Sequence, residues 1–69
     1  MSDHVYKVVE IVGSSAKSLE GAIENAVNTA NKSIRHMRWF EVVETRGHID
    51  DGKVAHYQVK LKIGFTIDQ

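Results

Sequence analysis

The chain has 69 residues, room for one domain (residues 1–69), and at that length a single core is marginal and often needs support from oligomerisation. It has no cysteine, which excludes disulfides, thiolate metal sites and cysteine nucleophiles. Nine basic residues balance nine acidic ones, so no global basic field draws nucleic acid, and no apolar run approaches the ~20 residues that cross a bilayer.

Val5 to Val12 is β-branched and aromatic and reads as a strand, ended by Gly13-Ser14-Ser15. Ser14, Ser15 or Ser18 is placed to cap a following helix, since a serine oxygen accepts from the free N–H groups of a first turn. The helix is predicted over about 16–36, because Leu19, Ile23, Ala26, Ala30, Ile34 and Met37 recur at spacings of three and four. Acidic residues lie early and Arg35-His36 late, which suits the helix dipole, and Gly21 is the one weak position. Two strands follow, about 38–49 and 53–67, joined by the turn Asp50-Asp51-Gly52-Lys53. The last strand alternates: Tyr57, Val59, Leu61, Ile63, Phe65 and Ile67 face one way, with His56, Gln58, Lys60, Lys62 and Thr66 opposite. The fold class is α+β: β-α-β-β, a three-stranded antiparallel sheet wrapping one amphipathic helix, which covers the apolar face.

The hairpin also predicts a register. With Ile49 opposite Val54, Phe40 meets Ile63 and Val42 meets Leu61 on the helix side, and Glu41 meets Lys62 as a favourable charge pair. Trp39 then falls near Gly64 on the other face, which one helix cannot cover. Three readings of Trp39 stand: it packs against another subunit, it stacks on a ligand ring for which Gly64 leaves room, or the register is wrong and it is core. Gln58 shares that face. Its amide donates and accepts together, as a heterocycle edge requires, although taken alone such a residue reads more simply as a solvated strand position. An unbroken register would push Arg46 toward the helix side beside Tyr57, so a bulge near Gly47 is expected.

Other chemistry finds little footing. The histidines at 4, 36, 48 and 56 lack metal-ligand spacing, so no metal residues are assigned. Asp50-Asp51-Gly52 is a turn without the other ligands of a calcium loop. Glu41 and Glu44 are expected on opposite strand faces, unable to act as a pair, and no catalytic residues are assigned. The N-terminal Met1-Ser2-Asp3-His4 lacks a signal-peptide pattern, so the expected location is cytoplasmic, with neither a membrane nor a nucleic acid as partner.

Several stretches together resemble one family: Val5-Tyr6-Lys7, Val12-Gly13-Ser14-Ser15, Ile34-Arg35-His36, Trp39-Phe40-Glu41-Val42, Glu44-Thr45-Arg46-Gly47, Tyr57-Gln58-Val59 and Gly64-Phe65. In order and spacing they resemble the dodecins, flavin-binding proteins that assemble as hollow shells of twelve copies. The resemblance implies a homododecamer with a flavin pair between two symmetry-related subunits. It implies isoalloxazine rings stacked on Trp39, their edge hydrogen-bonded by Gln58, and the FMN phosphate near Arg46; where this chain departs from the family at Thr66, Arg46 is left as the main anion partner with His48 as a helper. Riboflavin is the other flavin implied, and coenzyme A at a separate surface is a further ligand of some members. Bacterial members often resemble one another in a basic residue where this chain has Thr66, which implies weaker FMN binding or better acceptance of riboflavin. The implied role is storage, buffering and photoprotection of flavin, without enzymatic turnover. The alternative is a structural oligomeric module, or a coenzyme A-binding shell without a flavin role.

Overall fold

The computed structural model describes residues 3–67 and contains β1 (Tyr6–Ser15), α1 (Leu19–Ala30), β2 (Met37–Asp50) and β3 (Lys53–Thr66). Met1 and Ser2 of the N-terminal tetrapeptide lie outside the described residues, as do Asp68 and Gln69. The three strands form one antiparallel sheet in the order β1-β3-β2. The strand with the cleanest alternation is thus the central one, and its Val59, Leu61 and Ile63 are buried beneath the helix. The hairpin turn is as short as its residues allow. Asp51 (φ 52°) and Gly52 (φ 74°) both lie in the left-handed region, which twists a two-residue loop to match the strands. Among the described residues no helix is long and apolar enough to cross a membrane.

β1 runs through Gly13-Ser14-Ser15, which pair with Val59, Gln58 and Tyr57, so it continues past the predicted stop. The helix is shorter than predicted at both ends. Ser15 Oγ accepts from Lys17 N (3.0 Å) and holds a turn, and Ser18 is the cap, its Oγ accepting from Gly21 N at 2.9 Å. At the other end Lys32 N and Ser33 N turn to carbonyls only three residues back, Thr29 and Ala30, and the last turn tightens and stops. Asn28, Thr29, Asn31 and Ser33 are weak helix formers, which outweighs the apolar spacing that Ile34 and Met37 continue. Arg35 and His36 therefore lie beyond the helix, and the dipole does not act on them as expected. Ser18→Ala is expected to cost about 1 kcal/mol of stability, read as a lower denaturation midpoint.

A row of small side chains, Ala22, Ala26 and Ala30, faces the sheet, with Ile23 and Val27 half-buried beside it. This lets the helix approach β1 closely at Gly13, where a Cβ would run into the Ala22 carbonyl oxygen and stand 2.7 Å from the Ala26 Cβ. Asn25 Nδ2 adds a tie to the Ser14 carbonyl oxygen at 2.9 Å. The helix packs on β1 and β3. A helix about 10 Å wide spans two strands set about 4.8 Å apart, and β2 is the third. Phe40 and Val42 lie on the helix side as predicted but remain exposed, Phe40 by 49%.

The β2–β3 register agrees with expectation from Trp39 to Val42 and from Ile49 to the turn, and departs between these stretches and again at Met37, which opposes Phe65 past the extra residue Arg38. Trp39, Phe40, Glu41 and Val42 oppose Gly64, Ile63, Lys62 and Leu61, and Ile49 opposes Val54. Between them two irregularities compensate: Val43 is an extra residue in β2 and Ala55 an extra residue in β3. The bulge is thus at Val43, not near Gly47. It does what the expected one would have done, turning Arg46 away from the helix side. It also brings Glu44 opposite Lys60, on the same face as Glu41, so the two glutamates do not point to opposite faces as expected.

Candidate functional site

The sheet face away from the helix carries the residues singled out in the sequence. Pairing along β3 sets out its rows: Val8, Gly64 and Trp39; Glu10, Lys62 and Glu41; Val12, Lys60 and Glu44; Ser14, Gln58 and Arg46. An aromatic end and an amide–guanidinium end are thus separated by a charged middle.

At the aromatic end the Trp39 indole lies over Gly64. A Cβ on Gly64 would run into Trp39 Cε2 and Cζ2 and stand 2.7 Å from Nε1. The room expected beside Gly64 is therefore taken by the indole of the same chain. A ligand is left the outer side of that ring, which remains 42% exposed. The reading of Trp39 as core is overturned, because the register that exposes it is the one observed. Tyr6 stands beside it, ring centroids 6.4 Å apart and planes tilted by 60°. Sequence reasoning missed Tyr6, because the pairing of β1 with β3 joins distant segments and no local turn announces its register. Thr66 pairs with Tyr6 and so lies at this end.

At the other end the bulge at Val43 sets Arg46 opposite Gln58, and Arg46 Nε donates to Gln58 Oε1 at 3.0 Å. Arg46 Nη1 lies 3.6 Å from Glu44 Oε1, and Lys60 Nζ reaches the same oxygen at 3.8 Å. These ion pairs are exposed and each adds little stability, but together they orient the guanidinium. Gln58 keeps its two amide N–H donors for other partners, and Arg46 retains a planar set of donors suited to an anion. His48 follows one pair further on, opposite His56. Among the described residues no three of His, Asp or Glu gather as a metal-binding group.

Arg46, Gln58 and His48 are therefore brought together, whereas Trp39 is not with them. Gly64 and Gln58 are six residue steps apart along β3, roughly 20 Å at strand spacing. One aromatic ring system cannot touch both ends of the face in a single copy.

A family model described as Dodecin matches residues 5–68. A curated dodecin of Thermus thermophilus is 49% identical over 65 residues, 94% of each chain. The solved dodecin from Streptomyces davaonensis is 46% identical, with a TM-score of 0.95 over 99% of this chain and 100% of that one. A protein of Mycobacterium tuberculosis called calcium dodecin is 36% identical over 63 residues, 91% of this chain and 89% of that one. With its β-α-β-β order, its sheet and its helix matching theirs, this chain belongs to the dodecin family.

Proposed function

We propose that this protein binds a flavin, FMN or riboflavin, between copies of itself in a closed shell of twelve, and stores and shields it without turning it over. The observation that carries the reading is the exposed indole seated on Gly64, on a bare sheet face whose amide and guanidinium lie roughly 20 Å away. Two copies meeting face to face bring the Trp39 of one toward the polar end of another. The same meeting covers Val8 and Val12, which are otherwise exposed.

The residues fit the ligand class. The outer indole face offers a flat π surface for an isoalloxazine ring. The Gln58 amide presents donors and acceptor to a ring edge that carries both. Arg46 offers charge-assisted hydrogen bonds to a phosphate, with its direction held by Gln58 and Glu44. The flavin supplies the photochemistry, and stacked indole quenches its excited state by electron donation. Thr66 carries no charge at the Trp39 end, which leaves Arg46 as the main anion partner, with His48 beside it.

Titration with lumichrome, riboflavin and FMN, followed by loss of flavin fluorescence, tests the reading, together with light scattering for the assembly. Quenching by a large oligomer is expected. A monomer at micromolar concentration, or undiminished flavin fluorescence, overturns it. Arg46→Ala is expected to weaken FMN and leave riboflavin nearly unchanged, with a difference that shrinks as salt rises. Gln58→Leu is expected to weaken both ligands by about 1–3 kcal/mol, because ring groups are left buried without partners. It also releases Arg46 Nε from its acceptor, so FMN loses more than riboflavin. Equal curves for the two flavins in parent and Arg46→Ala alike would remove Arg46 from the site.

A further inference from the structure

His48 and His56 face each other across β2 and β3, one register step from Arg46 and Gln58 toward the hairpin turn. Their ring centroids are 4.8 Å apart, with planes inclined by 42°. We propose that this cross-strand pair chelates a divalent transition-metal ion of the nickel, copper or zinc type, at the end of the bare face away from the Trp39 indole, with His48 shared between the ion and the phosphate contact proposed above.

The spacing is what chelation asks for. An imidazole nitrogen binds such an ion at about 2.1 Å, and the ring centre lies roughly 1.1 Å behind that nitrogen. Two imidazoles sharing one ion at an angle of about 90–110° then have centres roughly 4.5–5.2 Å apart. The observed rings already stand within that range, so closing on an ion takes rotation of two side chains and no movement of the strands.

The backbone creates this pair through its two compensating irregularities. In an unbroken register, His48 would oppose Ala55, and His56 would oppose Gly47. The extra Val43 in β2 and the extra Ala55 in β3 shift the intervening stretch by one and set imidazole against imidazole on the bare face. Bulges commonly re-aim side chains beside functional sites, and here the same pair of bulges also aims Arg46 at Gln58.

The charges around the pair set the character of the site. Arg46 lies one step back on the same face and opposes a second cation, although Glu44 sits 3.6 Å from it. Beyond the Ile49–Val54 pair, Asp50 and Lys53 form the last cross-strand pair before the turn. Two protein ligands leave the other positions to water, which makes an open, exchangeable site and not a closed structural one. Imidazole suits nickel, copper and zinc, whereas calcium prefers six to eight oxygen ligands. Metal and proton compete for the neutral rings, so affinity falls on acidification. A bound ion would also tie β2 to β3 near the hairpin end.

Isothermal titration of the untagged protein with copper(II), nickel(II) and zinc(II), with calcium as control and no flavin present, tests this directly. One ion per chain is expected, copper tighter than nickel, and calcium neither binding nor competing. His48→Ala and His56→Ala should each weaken binding about tenfold or more, since losing a ligand costs no less than losing its outer-shell support. His4→Ala should bind as the parent does. Circular dichroism reports whether each variant folds, and the exposed His48 carries the test should His56→Ala fail to do so. Parental affinity in folded His48→Ala, calcium competing for the site, or no binding up to about 1 mM would overturn the proposal. Because the assay contains no flavin, its result is independent of the flavin reading.

Discussion

Gly13→Ala is expected to destabilise the fold by about 3 kcal/mol, an overpacking cost at the upper end of the usual range. The added methyl would run into the Ala22 carbonyl oxygen and stand 2.7 Å from the Ala26 Cβ. A flexible side chain would swing aside, but the first obstacle is helix backbone, so the whole of α1 has to lift from β1. Lifting it opens the contact of Ala22 and Ala26 with Val59 and Leu61, the centre of the core. The small gain in strand propensity on replacing glycine, roughly 0.5–1 kcal/mol, does not offset this. Chemical denaturation measures the effect. Trimming Ala26 to glycine in the same variant should recover only part of the loss, because the carbonyl remains. A loss below about 1 kcal/mol for Gly13→Ala would mean that the helix is not held as closely as its alanine row implies.

The second large effect falls on the flavin. Trp39→Ala is expected to weaken binding by roughly 1–3 kcal/mol per ring, by analogy with bases stacked on aromatic side chains, and to restore fluorescence to any flavin that still binds. Gly64→Ala makes a sharper test, because it keeps the indole and spoils only its seat. The new methyl would occupy the place of Cε2 and Cζ2, and the exposed ring must leave Gly64. An exposed side chain moves at little cost to the fold, so the denaturation midpoint should change little while flavin affinity falls and quenching weakens. Parental binding and quenching in both variants would reduce Trp39 to an interface residue and place the flavin elsewhere. Loss in Trp39→Ala with none in Gly64→Ala would show that the ring matters but its seat does not.

The two variants probe different levels of the structure, and they divide according to what was legible in the chain. The β-α-β-β order, the Asp51-Gly52 turn and the inward row of β3 are local signals, of turn chemistry and of period two. They placed Trp39 on the bare face opposite Gly64, because the turn sets the register at Ile49 and Val54 and the two irregularities that follow cancel before Trp39 is reached. The choice of Gln58 as a member of that face followed from the same alternation. The helix end was not legible, because Ile34 and Met37 prolong an apolar spacing that only packing can reward, and the residues around Asn31 are poor at continuing a helix without it.

What the tertiary structure decided are the relations between strands. The bulge at Val43 and its partner at Ala55 cancel by the time the turn is reached, so the register reads correctly at the turn and from Trp39 to Val42 while the stretch between is displaced. A bulge answers the side chains on both strands and both faces at once, and no single segment encodes it. From that displacement come the Arg46–Gln58 hydrogen bond, the return of Glu44 to the face of Glu41, and the meeting of His48 with His56. The neighbourhood of Tyr6 and Trp39 rests on β1 pairing with β3 across most of the chain. Composition and period thus determined which residues are offered on the bare face. Which of them touch was decided by long-range pairing, because side-chain contact depends on register to a single residue.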